Sequence, residues 1–445
     1  MRLIALLCMC FMSFYAHGQS EFSFLTKKRH IDFELVGNLI IVPVKLNGVP
    51  LSFLLDTGVK ETILFAGKQD SVPLDNVHRV KFSGIGIEDG VEGIMAIAND
   101  LEIGSTLRDS SHNVFVINGE ELDISSHIGM PVNGILGARF IQQFMLKIDY
   151  IKSRISLYDP QDFPEKITRK FTRIPIHLER DRPYTEVDIR LADDRMEHAK
   201  MLIDMGNSDG LLIFPFVLDS FQVKEPNVYE FIGRGFNGEI YGKRNRIAGF
   251  EWAGFQIKQP IVSYPDSNAV HAARLAESRI GSVGSQVLRH FHVILNYQGE
   301  EIYLRPNKNF GKPFEFNMSG MEIKHDGLVW AQREVPTSIG SRSKDDPHGG
   351  VTAWQSQILK YEFKLLPVYV VAGVRKDSPA ERAGVLKDDV LIKINGKKTE
   401  NMKLKDVLHK LQHKDGDLIN LIVERAGEQK QLQFKLVDPI PYKGN

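Results

Sequence analysis

Apolar and polar positions alternate in short stretches along most of this chain, and such alternation, broken by Gly and Asn, predicts strands joined by hairpins. Leu39 to Val44 reads as one strand, Asn47-Gly48 as a turn, and Leu51 to Leu55 as the next strand. That second strand runs into Asp56-Thr57-Gly58 before the apolar pattern resumes at Ile63-Leu64. An apolar run stopped in this way lifts a carboxylate out of a buried strand into a tight turn, because Gly admits backbone conformations that other residues resist. A Gly-bearing hairpin follows, Val80 to Ile87, and then Asn133 to Gly137 leads into a helix predicted over Ala138 to Met145. Two strands around a polar turn, Ile148 to Tyr158, close the pattern.

The pattern then recurs. Met201 to Asp204 leads into Met205-Gly206-Asn207, a second Gly-rich hairpin spans Ile232 to Gly238, and Gly281 to Gly284 precedes a helix. Ile294 to Leu304 repeats the closing strands. Register tests a repeat, and long-period self-similarity outweighs any local motif. Asp56 lies 81 positions before Gly137 and Asp204 lies 80 before Gly284. Phe144 and Phe291, Ile155 and Ile302, and Leu157 and Leu304 are each 147 apart, and the two aspartates are 148 apart. One insertion or deletion reconciles these spacings, so the chain contains two homologous lobes, 21–160 and 168–306.

An apolar pair before Asp-Thr-Gly, a Gly-bearing hairpin and an apolar-Leu-Gly segment before a helix together resemble the retropepsin-like aspartic proteases, with both lobes fused in one chain. The resemblance covers residues 33 to 306. It implies a mainly β fold of two pseudo-symmetric acid-protease barrels, each giving one aspartate, Asp56 or Asp204, to a shared cleft. Thr57, Gly58, Met205, Gly206 and Asn207 would shape the active-site loops, and Ile135-Leu136-Gly137 and Val283-Gly284 would brace them. The hairpins at Gly84-Ile85-Gly86 and at Gly233 and Gly235 would act as flaps that exclude water. The family's second motif has Thr or Ser after the Asp, whereas this chain has Met205, which has no hydroxyl to return across the lobe interface.

Beyond Asn307 the pattern changes. Residues 338 to 350 are polar and Gly-rich and read as an exposed loop. From Val368 the string Ser378-Pro379-Ala380, Ala383-Gly384-Val385 and Asp389-Val390-Leu391-Ile392-Lys393-Ile394-Asn395-Gly396 resembles bacterial PDZ domains, α+β modules, placed here at 314–437. Such domains bind a polypeptide by adding it as a strand, with a terminal carboxylate held on the amides of a Gly-bearing loop. Ser319, Gly320, Met321 and Ile323 supply the favoured loop; Lys364 to Pro367 is a second candidate, weakened because Pro has no amide hydrogen.

Composition refines the picture. At 445 residues the chain suggests two to four domains. Fifty-six basic residues balance 56 acidic ones with no long basic stripe, so nothing points to nucleic acid. Met1-Arg2, the apolar stretch Leu3 to Phe14 and Ala16-His17-Gly18 have the layout of a secretory signal peptide, assigned to 1–18. Cys8 and Cys10, the only cysteines, fall within it, so the mature chain would form neither disulfides nor thiolate metal sites. A secreted, disulfide-free chain of this size fits a bacterial periplasm, and no later segment is apolar enough to serve as a transmembrane anchor.

Facing aspartates cannot both ionise readily, so Asp56 and Asp204 would share one proton. The ionised member takes a proton from water while the protonated member polarises the peptide carbonyl, and neither metal nor cofactor is required. Val59 cannot donate to its carboxylate whereas Asn207 can, which makes Asp204 the more readily ionised partner and predicts activity at mildly acidic to neutral pH. Two other readings stand beside this one. A silent descendant would bind peptides in both cleft and PDZ groove without cutting. Gly206-Asn207-Ser208-Asp209-Gly210 also matches the Gly-x-Ser-x-Gly pattern of a serine nucleophile, but His78, His112, His127 and His177 sit in no recognisable catalytic context. His409 and His413, four apart on a predicted helix, lack the glutamate of a zinc protease and read as a solvated face.

Overall fold

The computed structural model describes residues 22–66, 72–82, 91–118, 124–191, 195–235, 238–268, 275–335 and 360–441. It divides into two compact units: Ser126–Met130 with Asn317–Asp438 form the smaller, and the rest of the chain the larger. The signal-peptide segment, the hairpin tip at Gly84-Ile85-Gly86 and the polar loop at 338 to 350 lie outside the described residues.

The larger unit is mainly β. A nine-stranded sheet carries the first lobe, a ten-stranded sheet the second, and a six-stranded sheet draws on both. Each aspartate strand lies deep within its own sheet. Val49–Leu55 pairs in parallel with Gly134–Leu136, Leu55 opposite Leu136, and Met196–Asp204 pairs in parallel with Arg279–Gly284, Asp204 opposite Gly284. Buried on both faces, these strands are apolar at nearly every position close to the aspartate: Phe53, Leu54, Leu55, Met201, Leu202 and Ile203 are all buried. The carboxylates therefore sit at the ends of strands that are interior to their sheets and buried.

The six-stranded sheet shows the symmetry directly. Met145–Asp149 pairs with Phe291–Asn296, Leu146 opposite Leu295 and Ile148 opposite Val293. Leu146 and Val293 are counterparts 147 positions apart, as are Ile148 and Leu295, so exchanging the lobes maps the pairing onto itself. That is a local twofold axis through the sheet. One continuous apolar cluster, from Phe22 to Ile440, underlies both lobes and this sheet. The helix predicted over Ala138 to Met145 is shorter, Ala138–Ile141, because Met145 and Leu146 are taken into the six-stranded sheet and buried there. Tertiary burial overrides local helical preference here.

In the smaller unit the sheet order is Met321–Val335, Lys360–Val374, Val390–Ile394, Leu418–Arg425 and Glu428–Lys435. Leu404–Leu411 buries Leu404, Val407 and Leu411, a stripe at helical spacing. Asn395 and Gly396 both adopt positive φ, 47° and 77°, the turn that joins Val390–Ile394 to Lys397–Lys398. Ser378 caps the helix Pro379–Arg382, its hydroxyl accepting from the Glu381 amide at 3.2 Å. Ser378→Ala is expected to cost about 1 kcal/mol, read as a lower unfolding midpoint of this unit in a denaturant titration. No helix among the described residues is long and apolar enough to cross a membrane.

Candidate active site

Asp56 and Asp204 are brought to one place. A Cβ built on Gly58 would lie 3.1 Å from Asp56 Oδ1 and 3.4 Å from Asp204 Oδ1, so both carboxylates flank this α-carbon. A Cβ on Gly206 would lie 2.3 Å from Asp56 Oδ2, which makes glycine obligatory where the second loop passes the first aspartate. Gly206→Ala should therefore displace Asp56 and remove activity while leaving both lobes folded, as judged by circular dichroism.

Each carboxylate is held by amides of its own turn. The Gly58 amide donates to Asp56 Oδ1 at 2.6 Å, and the amides of Gly206 and Asn207 donate to Asp204 Oδ1, each at 3.1 Å. The asymmetry expected at Asn207 exists, but through its backbone. The Asn207 side-chain oxygen accepts from the Asp209 amide at 3.0 Å, and the side-chain nitrogen is buried without a partner among the described residues, so it does not reach the carboxylate.

Burial is the main force on both groups. It pushes the Asp56 carboxyl up to about 7, with the Asp204 charge adding to the effect and the Gly58 amide, Arg182 and the Gly206 amide opposing it. Burial also raises Asp204, against the pull of Arg279, of the Gly206 and Asn207 amides and of Arg182. The pair is built to hold a proton near neutrality.

Thr57 ties the two loops together. Its buried hydroxyl donates to the Ile203 carbonyl at 2.6 Å and accepts from the Met205 amide at 2.9 Å. Met205 lacks a hydroxyl to reciprocate, yet its amide completes the bridge and its side chain is buried in the core. Ser285 Oγ donates to the Met205 carbonyl at 2.9 Å, which satisfies the remaining polar group of that residue's backbone. The segments after Leu136 and Val283 do brace the loops: the Ala138 amide donates to the Val59 carbonyl and the Ser285 amide to the Asn207 carbonyl, both at 2.8 Å.

Several site residues escaped the sequence reading. Five positions after each aspartate stands an acid, Glu61 and Asp209, a coincidence visible in the repeat. Glu61 pairs with Arg139, at the start of the bracing helix. Asp209 accepts two bonds from Arg244 Nη2, both at 3.0 Å, while Arg244 also binds Glu230 at 2.8 Å and Ser263 at 2.8 Å. Arg244 lies in Gly238–Arg246 and Glu230 in Val228–Gly235, so this partly buried network fastens the base of the second-lobe hairpin to the Asp204 loop. Gly233 and Gly235 lie further along, opposite Ile240 and Gly238, with a register shift between Phe231 and Gly233. From the second lobe, Arg182 Nε donates to the Gly58 carbonyl at 2.7 Å and Asp181 pairs with Lys60 at 2.6 Å.

The alternative nucleophile has no such support. Asn38 donates to the Ser208 carbonyl, and among the described residues the Ser208 hydroxyl makes no hydrogen bond to a histidine. His112 does have an aspartate and a hydroxyl aligned, Asp109 at 2.7 Å and Thr62 at 2.8 Å, but all three are buried in the first lobe. His409 and His413 stand with ring centroids 6.1 Å apart, and His413 pairs with Asp417. Among the described residues no group of three or more His, Cys, Asp or Glu is arranged to hold a metal ion.

In the smaller unit Ser319-Gly320 immediately precedes Met321–Val335, whose other edge is unpaired among the described strands. Gly320 has φ 80°, and a Cβ there would meet the Ser378 Cβ at 2.2 Å. The amides of Met318, Ser319 and Met321 are already engaged by Leu411, Asn317 and Ser319, which leaves the Gly320 amide without a partner among the described residues. The side chains of Met321 and Ile323 are buried in the core, so these residues offer a ligand their backbone edge. Lys364 to Pro367 forms no loop; it lies within the strand Lys360–Val374.

Comparison with known proteins agrees with this architecture. Residues 42–140 match the aspartyl protease family model and residues 370–425 the PDZ domain model. A probable CtpA-like serine protease of Staphylococcus haemolyticus is 25% identical over 130 residues, 29% of this chain and 25% of that protein. Its namesake in Staphylococcus aureus is 36% identical over 66 residues, 15% of this chain and 13% of that protein. The chain thus spans a quarter or less of the length of these curated relatives. Among solved structures, the aspartic proteinase from Irpex lacteus aligns with a TM-score of 0.42 and 12% identity, over 64% of this chain and 99% of its own. The first lobe thus carries an aspartyl protease match and the smaller unit a PDZ domain match.

Proposed function

We propose that this chain is a secreted, periplasmic aspartic endopeptidase that hydrolyses peptide bonds with Asp56, Asp204 and a bound water, and whose PDZ domain recruits polypeptide. The observation that carries the reading is the placement of both carboxylates beside Gly58, on loops joined through Thr57, with Asp56 pushed up to about 7. At mildly acidic pH such a pair holds one proton. Ionised Asp204 accepts a proton from water as the water attacks the carbonyl carbon, and protonated Asp56 hydrogen-bonds to the carbonyl oxygen as charge develops there. Collapse of the tetrahedral intermediate passes a proton to the leaving amine, and no covalent enzyme intermediate forms. Recruitment would use the open edge of Met321–Val335 and the Gly320 amide.

The experiment is incubation of the mature chain with an unfolded polypeptide between pH 3 and 8. Cleavage is expected, and its complete absence would favour the silent peptide-binding reading. Ser208→Ala should cleave at the wild-type rate, because among the described residues the Ser208 hydroxyl makes no hydrogen bond to a histidine; a loss beyond about tenfold would support the serine mechanism named for the staphylococcal relatives.

A further inference from the structure

The two lobes repeat one another, but the charges around the dyad do not. Arg279 is buried in the second lobe, five residues before Gly284. The equivalent position of the first lobe, five residues before Gly137, is Val132, also buried. Burying a guanidinium is costly unless something compensates it. Among the described residues Arg279 has no carboxylate within ion-pair distance. Its Nε donates to the Gly281 carbonyl at 3.0 Å, and its guanidinium lies 5.3 Å from the Phe214 ring centroid and 6.0 Å from that of Tyr184. Gly281 pairs with Met201, three residues before Asp204 on the adjacent strand, about 10 Å along it. The Tyr184 hydroxyl is a hydrogen-bond partner of the guanidinium, and Asp204 is the carboxylate whose charge acts on it across the low-dielectric core. The second cation, Arg182, reaches the Gly58 carbonyl and is also from the second lobe; the first lobe has Glu34-Leu35 at the matching spacing.

We propose that Arg279, backed by Arg182, is a positioning residue that places the negative charge of the dyad on Asp204 and its proton on Asp56. The inference rests on the dyad reading above and adds to it the residues that fix the base at Asp204 and the acid at Asp56. Among the described residues the groups facing Asp204 are Asp56 across the cleft, Arg279 on its neighbouring strand, Arg182 at the start of Arg182–Arg190, and Tyr297, whose buried hydroxyl has no hydrogen-bond partner there. Of these, only the two arginines favour the ionised form. Arg279 is the strongest of the forces that pull Asp204 down, whereas the cation acting on Asp56 is Arg182.

Two measurements decide it. In the first, kcat/KM is followed against pH for wild type, Arg279→Met and Arg279→Lys. Removing the cation while keeping the length of the side chain should move the acid limb upward, so that kcat/KM at the foot of that limb falls about tenfold while the value near pH 6 changes little. Arg279→Lys should restore most of the limb, which a purely packing role would not. Superimposable profiles for wild type and Arg279→Met overturn the proposal. In the second, the carboxyl carbons of 13C-labelled aspartate are titrated by NMR in the wild-type chain, with Asp56→Asn and Asp204→Asn used for assignment. Asp204 should ionise first; Asp56 ionising first overturns the proposal even where the Met variant does not fold. If the wild type cleaves nothing, the catalytic reading fails and the titration still decides where the charge lies.

Discussion

Asp56→Asn and Asp204→Asn are each expected to lower cleavage of an unfolded polypeptide by about 10²- to 10⁴-fold while making the protein more stable near neutral pH. The first effect follows because each carboxyl has a separate duty, and an amide can neither take the proton from water nor give one to the substrate. The second follows from linkage. Asp56 has an unfolded value of 3.8 and a folded one pushed up to about 7 by burial and by the Asp204 charge. Between those values the folded protein holds a proton that the unfolded chain has released. The stability associated with this group is therefore fully present below pH 3.8 and is lost as pH rises through about 7. Asn carries no charge to bury, so the variant should gain roughly 1–3 kcal/mol over wild type at pH 8, a few degrees in Tm, and little at pH 4. Rates and thermal melts at the two pH values check both parts. An inactive variant that is also less stable at pH 8 would mean that the aspartates are structural.

Thr57→Val should be the most damaging substitution to the fold of the site. Its hydroxyl satisfies two backbone groups of the opposite lobe, the Ile203 carbonyl and the Met205 amide, and it is fully buried. Valine has nearly the same shape and offers neither bond. Leaving two buried backbone groups unpaired costs about 1–3 kcal/mol each, so a loss of about 2–5 kcal/mol is expected from denaturant titration. Activity should fall further than stability alone explains, since the same bonds set the spacing of the two carboxylates. Thr57→Ser, which keeps the hydroxyl, should recover most of both. Equal stability of the Val and Ser variants would show that the bridge contributes nothing.

How far the sequence reveals this site depends on the kind of information each residue carries. Asp56 and Asp204 are legible because a carboxylate at the end of a doubly buried strand, followed by a Gly turn, has the same pattern in both lobes. The repeat also foretells the central sheet, since Ile148 to Tyr158 and Ile294 to Leu304 carry matching alternation. The Ser378-Pro379-Ala380 and Asn395-Gly396 signals are local capping and turn chemistry, so they reveal their helix and hairpin without tertiary context. Met205 is harder to judge. Its missing hydroxyl is plain in the sequence, but the ability of Thr57 to bond both the Ile203 carbonyl and the Met205 amide depends on the facing loops.

The arginines are the least legible residues of all. A guanidinium on a long, flexible side chain finds partners that the fold brings near, so Arg244, Arg279 and Arg182 look like ordinary surface charges until the strands are assembled. The acid at the fifth position after each aspartate was the one available clue to Arg139 and Arg244. Asn207 illustrates the reverse error: its side chain has the right chemistry to donate to Asp204, but the Asp209 amide claims its oxygen and the backbone does the donating. The short Ala138–Ile141 helix shows the same limit for secondary structure, because Met145 and Leu146 follow the needs of the central sheet.

The claim that two carboxyls share one proton is tested most directly by the pH dependence of kcat/KM on an unfolded polypeptide, measured from pH 2 to 9 with the wild-type chain. Activity should lie in the mildly acidic range and fall away with an alkaline limb near pH 7, where Asp56 loses its proton. A rate that continues to climb above pH 8, or one that peaks near pH 2, would contradict it.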